Sequence, residues 1–324
     1  MTLWEVALQN LTSPPVLAFA LGLIAVAVKS DLRLPEAVYQ GLSIYLLLGL
    51  GIKGGVALSN ATLSEIWLPV VVTMMLGIVT PLLAYWGLGF LTKLDSINKG
   101  AVAAHYGSTS LVTFTAALIF LESQKMFVEG YLATLLAILE IPGIIVGLIL
   151  ASRGLSRKVD WRESMFEVLA GRSILLLAGG VVLGLVTGDS GYARIEPFFG
   201  ALFTGVLTLF LLEMGIVAGR RLPDIKQAGL GIVAFGTLFP ILAGSLGVVG
   251  GQLAGLSLGG SAVLGVLAAS ASYIAAPAAV RLALPEASPG IYLTASLGIT
   301  FPFNLIVGIP LLVSLSVYLE GLGL

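Results

Sequence analysis

Apolar residues fill this chain in continuous runs, each about the length a bilayer requires, with short polar turns between them. The runs fall at roughly 14–30, 35–58, 65–91, 99–120, 126–152, 169–187, 197–219, 227–254, 261–281 and 289–318. They do not alternate with polar positions, so each reads as a helix and not as a strand of a barrel. The pattern predicts an all-α polytopic membrane protein with ten transmembrane helices, numbered here as spans 1 to 10. The longest turn, 153-RGLSRKVDWRES-164, divides the chain in two.

Composition agrees. Of 324 residues 58% are hydrophobic and only 10% charged, with mean hydropathy +1.06; soluble domains carry about 25% charged residues. A net charge of −1 with no basic stripe gives no footprint for nucleic acid. No cysteine and one histidine leave no disulfide, thiolate, iron–sulfur or His-rich metal site and call for no cofactor. Residues 1–15 hold Glu5 and no basic cluster, so the run after them reads as a first span and not as a cleaved signal peptide.

The basic residues predict orientation. Loops after spans 1, 3, 5, 7 and 9 hold Lys29, Arg33, Lys93, Lys99, Arg153, Arg157, Lys158, Arg162, Arg220, Arg221, Lys226 and Arg281; the opposite side holds only Lys125 and Arg194. By the positive-inside rule the twelve-residue side is cytoplasmic, and both termini face away from it. The expected location is the plasma (inner) membrane.

The two halves resemble each other. 47-LLGLGIKGG-55 matches 211-LLEMGIVAG-219, 107-GSTS-110 matches 269-ASAS-272, 130-GYLAT-134 matches 290-GIYLT-294, and 142-PGIIVG-147 matches 302-PFNLIVG-308, in one order and at offsets of 160 to 164. Residues 1–152 and 169–324 are then two five-helix repeats, with 153–168 a short cytoplasmic linker. Five is odd, so consecutive copies must be inverted in the membrane. Inverted repeats with discontinuous helices meeting near the midplane are the architecture of secondary transporters.

Spans 4 and 9 carry the matched polar interruptions. Gly107, Ser108, Thr109 and Ser110, with Thr113 one turn on, face the series Ala269, Ser270, Ala271, Ser272 and Tyr273. Hydroxylated side chains compete for backbone hydrogen bonds and glycine weakens a helix, so both spans are predicted to break there. A second half-helix beginning at such a break offers free N–H groups and the positive end of its dipole to an anion. The competing reading is close packing by small residues; two matched clusters in repeat-related helices favour a substrate site. His105, beside the first cluster, is either a packed neutral histidine or a titrating pore residue.

Charges inside spans are costly and usually functional. Glu140 stands in 139-LEIP-142, where Pro142 is expected to open the span 5 backbone. Its repeat counterpart is Thr300, with Asn304 a turn beyond. The three offer a carboxylate and neutral oxygens of the kind Na⁺ accepts. Lys53 and Glu213 carry opposite charges on repeat-related spans and are read as a candidate structural pair. Arg281, at the end of span 9, is read as a residue that snorkels to headgroups.

The stretches 51-GIKGG-55, 107-GSTSLVT-113, 140-EIP-142, 268-AASASYIAAP-277 and 285-PEASPGIYLTASLGITFP-302 resemble the sodium-dependent bicarbonate transporter superfamily known from cyanobacteria, over nearly the whole chain. The resemblance implies a homotrimer with a gate domain and a core domain, carrying bicarbonate with Na⁺. It also places the anion at broken spans 4 and 9, and in some members implies inhibition by a cytoplasmic PII-like trimer. The chain departs from the cyanobacterial pattern in three places. Ser270-Ala271-Ser272-Tyr273 replaces a Ser-Ser-Ser-Asp run, His105-Tyr106 replaces apolar residues, and the cytoplasmic insert shrinks to about 16 residues. The expected function is Na⁺-coupled uptake of bicarbonate by elevator-like alternating access. The alternatives are another small anion such as a carboxylate, or a gated anion channel. An enzyme is not expected: His105 and Ser108 lie close in sequence, but no buried Asp orients the histidine.

Overall fold

The computed structural model describes residues 3–157 and 160–323; Lys158 lies outside them. Every regular element among the described residues is helical. The first half consists of α1 (Leu3–Leu11), α2 (Pro14–Ala27), α3 (Glu36–Asn60), α4 (Leu63–Leu91), α5 (Ser96–Gly107), α6 (Leu111–Ser123) and α7 (Leu132–Ser152). After α8 (Trp161–Ala170) come α9 (Arg172–Glu196), α10 (Phe203–Ala228), α11 (Leu230–Leu253), α12 (Leu258–Ala269) and α13 (Ala276–Ala283). The last span is α14 (Pro289–Leu293), α15 (Phe301–Phe303) and α16 (Ile309–Glu320), joined by π-helical turns at Thr294–Thr300 and Asn304–Gly308.

Eight helical stretches are long and apolar enough to cross a membrane, with the α5–α6 pair counted as one. Pro14–Ala27 and Leu258–Ala269 are apolar but shorter. At 1.5 Å per residue, twelve residues cover only about 18 Å, so span 9 reaches a bilayer's depth only with α13 added. Two further elements, α1 and α8, were not foreseen; α8 occupies the second half of the stretch read as linker.

The turns gather at two ends. At one, Ser288 N–H donates to Asn98 Oδ1 (2.8 Å), Arg157 pairs with Glu286 (2.8 Å), and Leu34 N–H donates to Glu213 Oε2 (2.9 Å). This is the basic end. At the other, Asn60 meets Asp189 (3.1 Å), Ser257 N–H donates to Glu129 (2.6 Å), and Gln252 donates to Ser316 O (2.8 Å).

The helices pack in two groups. α2 lies along α10 and α3 along α9 in one; α4, α5, α7, α11, α12 and α16 pack together in the other. Close helix approach in an apolar solvent depends on small residues, because burying apolar surface gains little against lipid. Gly22 sits on Gly215, and Gly51 and Gly55 sit on Gly180 and Gly184; a Cβ on Gly55 would stand 2.0 Å from Val181 O. α7 and α10 carry most of the contact between groups, α10 against the π turn Thr294–Thr300 and α7 against α3 and α9.

Candidate functional site at the two helix breaks

Both interruptions leave extended backbone in the buried centre. α5 ends at Gly107, and Ser108, Thr109 and Ser110 carry no helix before α6 begins. α12 ends at Ala269, and six residues, Ser270 to Ala275, separate it from α13. Ser110 caps α6: its Oγ accepts from Thr113 N–H (3.2 Å) and Thr113 Oγ1–H (3.0 Å). Ser272 Oγ likewise accepts from Ala276 N–H (3.2 Å) at the start of α13.

The breaks cross and bond to each other. Ser110 N–H donates to Ser270 Oγ (2.9 Å), Thr109 Oγ1 meets the same oxygen (3.0 Å), and Ser272 N–H donates to the carbonyl of His105 (2.8 Å). Ser270 Oγ–H in turn donates to Leu267 O (2.9 Å), so its one proton is committed and Thr109 must donate to it. The exposed ends of the first half-helices are closed differently. Gly143 presses against the carbonyl of Gly107 so closely that a Cβ would lie 1.8 Å from that oxygen. Asn304 Nδ2 donates to the carbonyl of Ala269 (2.8 Å).

A small, narrow cavity lies at this crossing. Thr109, Ser110, Glu140, Ser272 and Tyr273 line it together with Leu47, Leu111, Leu136, Ser173 and Ile274, and it has room for about one water molecule. Glu140 is 5% exposed and one carboxyl oxygen, Oε2, is buried without a hydrogen-bond partner. A buried carboxylate in that position must take a proton or a cation. Tyr273 Oη and Ser108 Oγ are also buried and unpartnered. Among the described residues no three His, Asp or Glu side chains come together, so a cation here would rest on one carboxylate and neutral oxygens.

The profile of the Na⁺-dependent bicarbonate transporter superfamily matches residues 14–317. The chain belongs to that superfamily. No curated protein matches it.

In this superfamily member the residues expected to act together do not all meet. Gly107, Ala269 and Ala271 are buried in the packing around the breaks, and Thr113 serves the α6 cap. Glu140 joins the hydroxyls of both breaks, whereas Thr300 and Asn304 lie outside the cavity wall. Thr300 Oγ1–H donates to Gly236 O (2.7 Å) and therefore accepts from Tyr106 Oη–H, tying α5, α11 and the last span. Asn304 supports the second break from behind, with Oδ1 unpartnered. Pro142 does not open span 5: α7 runs unbroken from Leu132 to Ser152 with Pro142 inside it. A proline removes one intrahelical bond and can be absorbed by a bend. The irregular backbone appears instead in the last span, as its π turns.

His105 Nδ1 lies 2.7 Å from Ala101 O, and its ring stacks on Tyr292 at 4.4 Å. A carbonyl only accepts, so Nδ1 carries the proton, and Nε2 is buried without a partner. That geometry suits the packed reading. Lys53 and Glu213 do not pair. The Lys53 ammonium stands 4.5 Å from the Phe203 ring centre and borders a cavity of about 470 Å³ with Glu122 and Glu196; Glu213 borders another at the basic end. Arg281 lines that second cavity, about 270 Å³ in volume. Ser173, Leu47 and Leu136 complete the site wall and were not foreseen, since nothing local in sequence shows which neighbours face a break.

Proposed function

We propose that the protein takes up bicarbonate coupled to Na⁺, with the crossing of the two breaks as the shared site. The observation that carries this is Glu140: a buried carboxyl with an unpartnered oxygen, in one cavity with the hydroxyls of Thr109, Ser110 and Ser272. Na⁺ is held by Glu140 and those neutral oxygens. Its charge, with the starts of α6 and α13, then favours a monovalent anion beside Ser110 and Ser272.

The ten-helix inverted repeat draws support from the packing. α2 on α10 and α9 on α3 are the pairings that exchange under the repeat. The cavities at the two ends also correspond. Leu50, Lys53 and Phe203 border the one opposite the basic end, and Met214, Val217 and Tyr39, each 164 positions away, border the other. Thr115 and Ile119 correspond likewise to Pro277 and Arg281 at 162. Two vestibules related by the repeat, on opposite sides of one narrow site, are what alternating access requires. The split into two helix groups supports an elevator-like movement of the breaks past α2, α3, α9 and α10, with the basic end cytoplasmic and both termini outside.

The test is uptake of radiolabelled bicarbonate into proteoliposomes with and without an inward Na⁺ gradient at fixed pH. Saturable, Na⁺-dependent uptake is expected. Glu140→Gln is expected to reduce it about 100-fold or more while the protein stays folded, in line with losing a charged ligand worth about 3 kcal/mol. Uptake by Glu140→Gln at the normal rate and Na⁺ dependence removes Glu140 from the site. A second reading, a small carboxylate as substrate, rests on Tyr273. A phenol stands where the family resemblance implies an acid, which leaves the anion side less negative and more apolar. Competition by acetate or pyruvate in the same assay distinguishes the two.

A further inference from the structure

The cavity at the crossing is too narrow for any carried anion, so a wall must move for one to enter or leave. Its borders with the two vestibules differ. It shares no lining residue with the 470 Å³ vestibule of Lys53, but it shares Tyr273 with the 270 Å³ vestibule of Arg221 and Arg281. Between these two cavities Tyr273 is the shared wall residue.

We propose that the ring of Tyr273 is the gate on the basic-end side, resting on the transport reading above. Four observations carry it. Tyr273 belongs to the six-residue non-helical stretch, so its backbone is not held by a helix ladder. Its hydroxyl is buried and faces the Ser110 side chain without making a hydrogen bond of normal geometry, so only a weak polar contact restrains the ring. The ring is otherwise held by packing, including an edge contact with Phe301 at 5.3 Å. And the vestibule it closes is the repeat counterpart of the one on the other side, where Leu111, the counterpart of Tyr273 at 162 positions, lines the cavity without reaching the vestibule. A rotamer change at Tyr273 opens the basic end alone. The rival door is a 320 Å³ cavity that borders the site through Ser173 and Ile274.

The chain has no cysteine, which permits a direct test. Leu47→Cys places a single thiol in the cavity wall. Its reaction with a small membrane-impermeant thiosulfonate is followed from the basic-end side, in vesicles of known orientation, without any need for transport. With Tyr273 intact the reaction is expected to be slow. Adding Tyr273→Ala should speed it about tenfold or more, because the closed state loses its plug; Tyr273→Phe should leave it slow. Where Tyr273→Ala does not assemble, Tyr273→Leu serves, its shorter side chain leaving a gap. The proposal is overturned by unchanged labelling in the truncated variant, by equal acceleration in Tyr273→Phe, or by acceleration in Ile274→Ala alone. Because labelling needs no substrate, failed bicarbonate uptake would sink the transport reading without touching the gate.

Discussion

The first helix break and the second serve the same crossing with different hardware. The first spans three residues, and the half-helix after it, α6, has thirteen. The second spans six, and α13 has eight, about 12 Å of helix against about 20 Å. At the first, the end of α5 is closed by backbone against backbone, Gly107 on Gly143. At the second, the end of α12 is closed by a side-chain amide, Asn304. The first is therefore a fixed corner set by sterics, and the second a longer, hydrogen-bonded strap that borders the basic-end cavity through Tyr273. An inverted repeat needs matched ends, but one break can serve as anchor while the other yields.

The sharpest way to break that contrast is to attack the anchors. In Gly143→Ala the new Cβ meets the Gly107 carbonyl at 1.8 Å, and a backbone oxygen cannot swing aside as a side chain can. Overpacking of this kind costs about 3 kcal/mol, and much of the protein should be lost from the membrane or melt far lower in a thermal-shift assay. Asn304→Ala removes one hydrogen bond from the Ala269 carbonyl and should cost about 1–2 kcal/mol. Equal losses for the two would erase the distinction between a steric and a hydrogen-bonded closure.

The next test sharpens the crossing itself. Ser270 Oγ serves Ser110 N–H, Thr109 and Leu267 O together. Ser270→Ala should leave a buried N–H unpaired at about 1–3 kcal/mol, lower the melting temperature and reduce uptake. Ser108 Oγ has no partner, so Ser108→Ala should leave stability within about 0.5 kcal/mol of the parent. A Ser108→Ala loss as large as that of Ser270→Ala would mean the crossing is not organised around the Ser270 oxygen.

How much of this the sequence carried follows from what kind of signal each feature is. The breaks stood out because Ser, Thr and Gly in apolar helix are a local conflict, visible without a partner. The proposed repeat rests on spacing, and the basic end on lysine and arginine counts. What stayed hidden depends on packing. Pro142 sits inside an unbroken helix, and the irregular backbone lies instead in the π turns around Pro302. Thr300 and Asn304 hold backbone carbonyls on other helices and do not line the cavity that Glu140 lines. α8 was hidden because its mixed polar sequence reads as linker. That Tyr273 borders two cavities is a property of the assembled wall, and no single window of sequence contains it.

The smallest effect concerns how the second break is tethered. Arg157, in the turn after α7, pairs with Glu286 just beyond α13 at 2.8 Å, and its Nη2–H also donates to Ala283 O at the end of α13 (2.9 Å). Both side chains are about 40% exposed, so water and salt screen the pair and its contribution to stability should be slight. The hydrogen bond from Arg157 holds the Glu286 carboxyl below its ordinary range. A depressed carboxylate pKa stabilises above the unfolded value and loses that gain as pH falls through the folded one. The contribution of the pair is thus present at neutral pH and disappears in the acid range below the ordinary glutamate pKa of about 4.3. Glu286→Gln should leave the neutral-pH melting temperature almost unchanged and flatten its small acid-side decline, read by thermal shift across that range at low salt. Retention of the Ala283 bond keeps the α13 end in place, so transport should persist. A large loss of uptake in Glu286→Gln at neutral pH, with the protein still folded, would mean that the end of α13 needs a tighter hold than its exposed ion pair supplies.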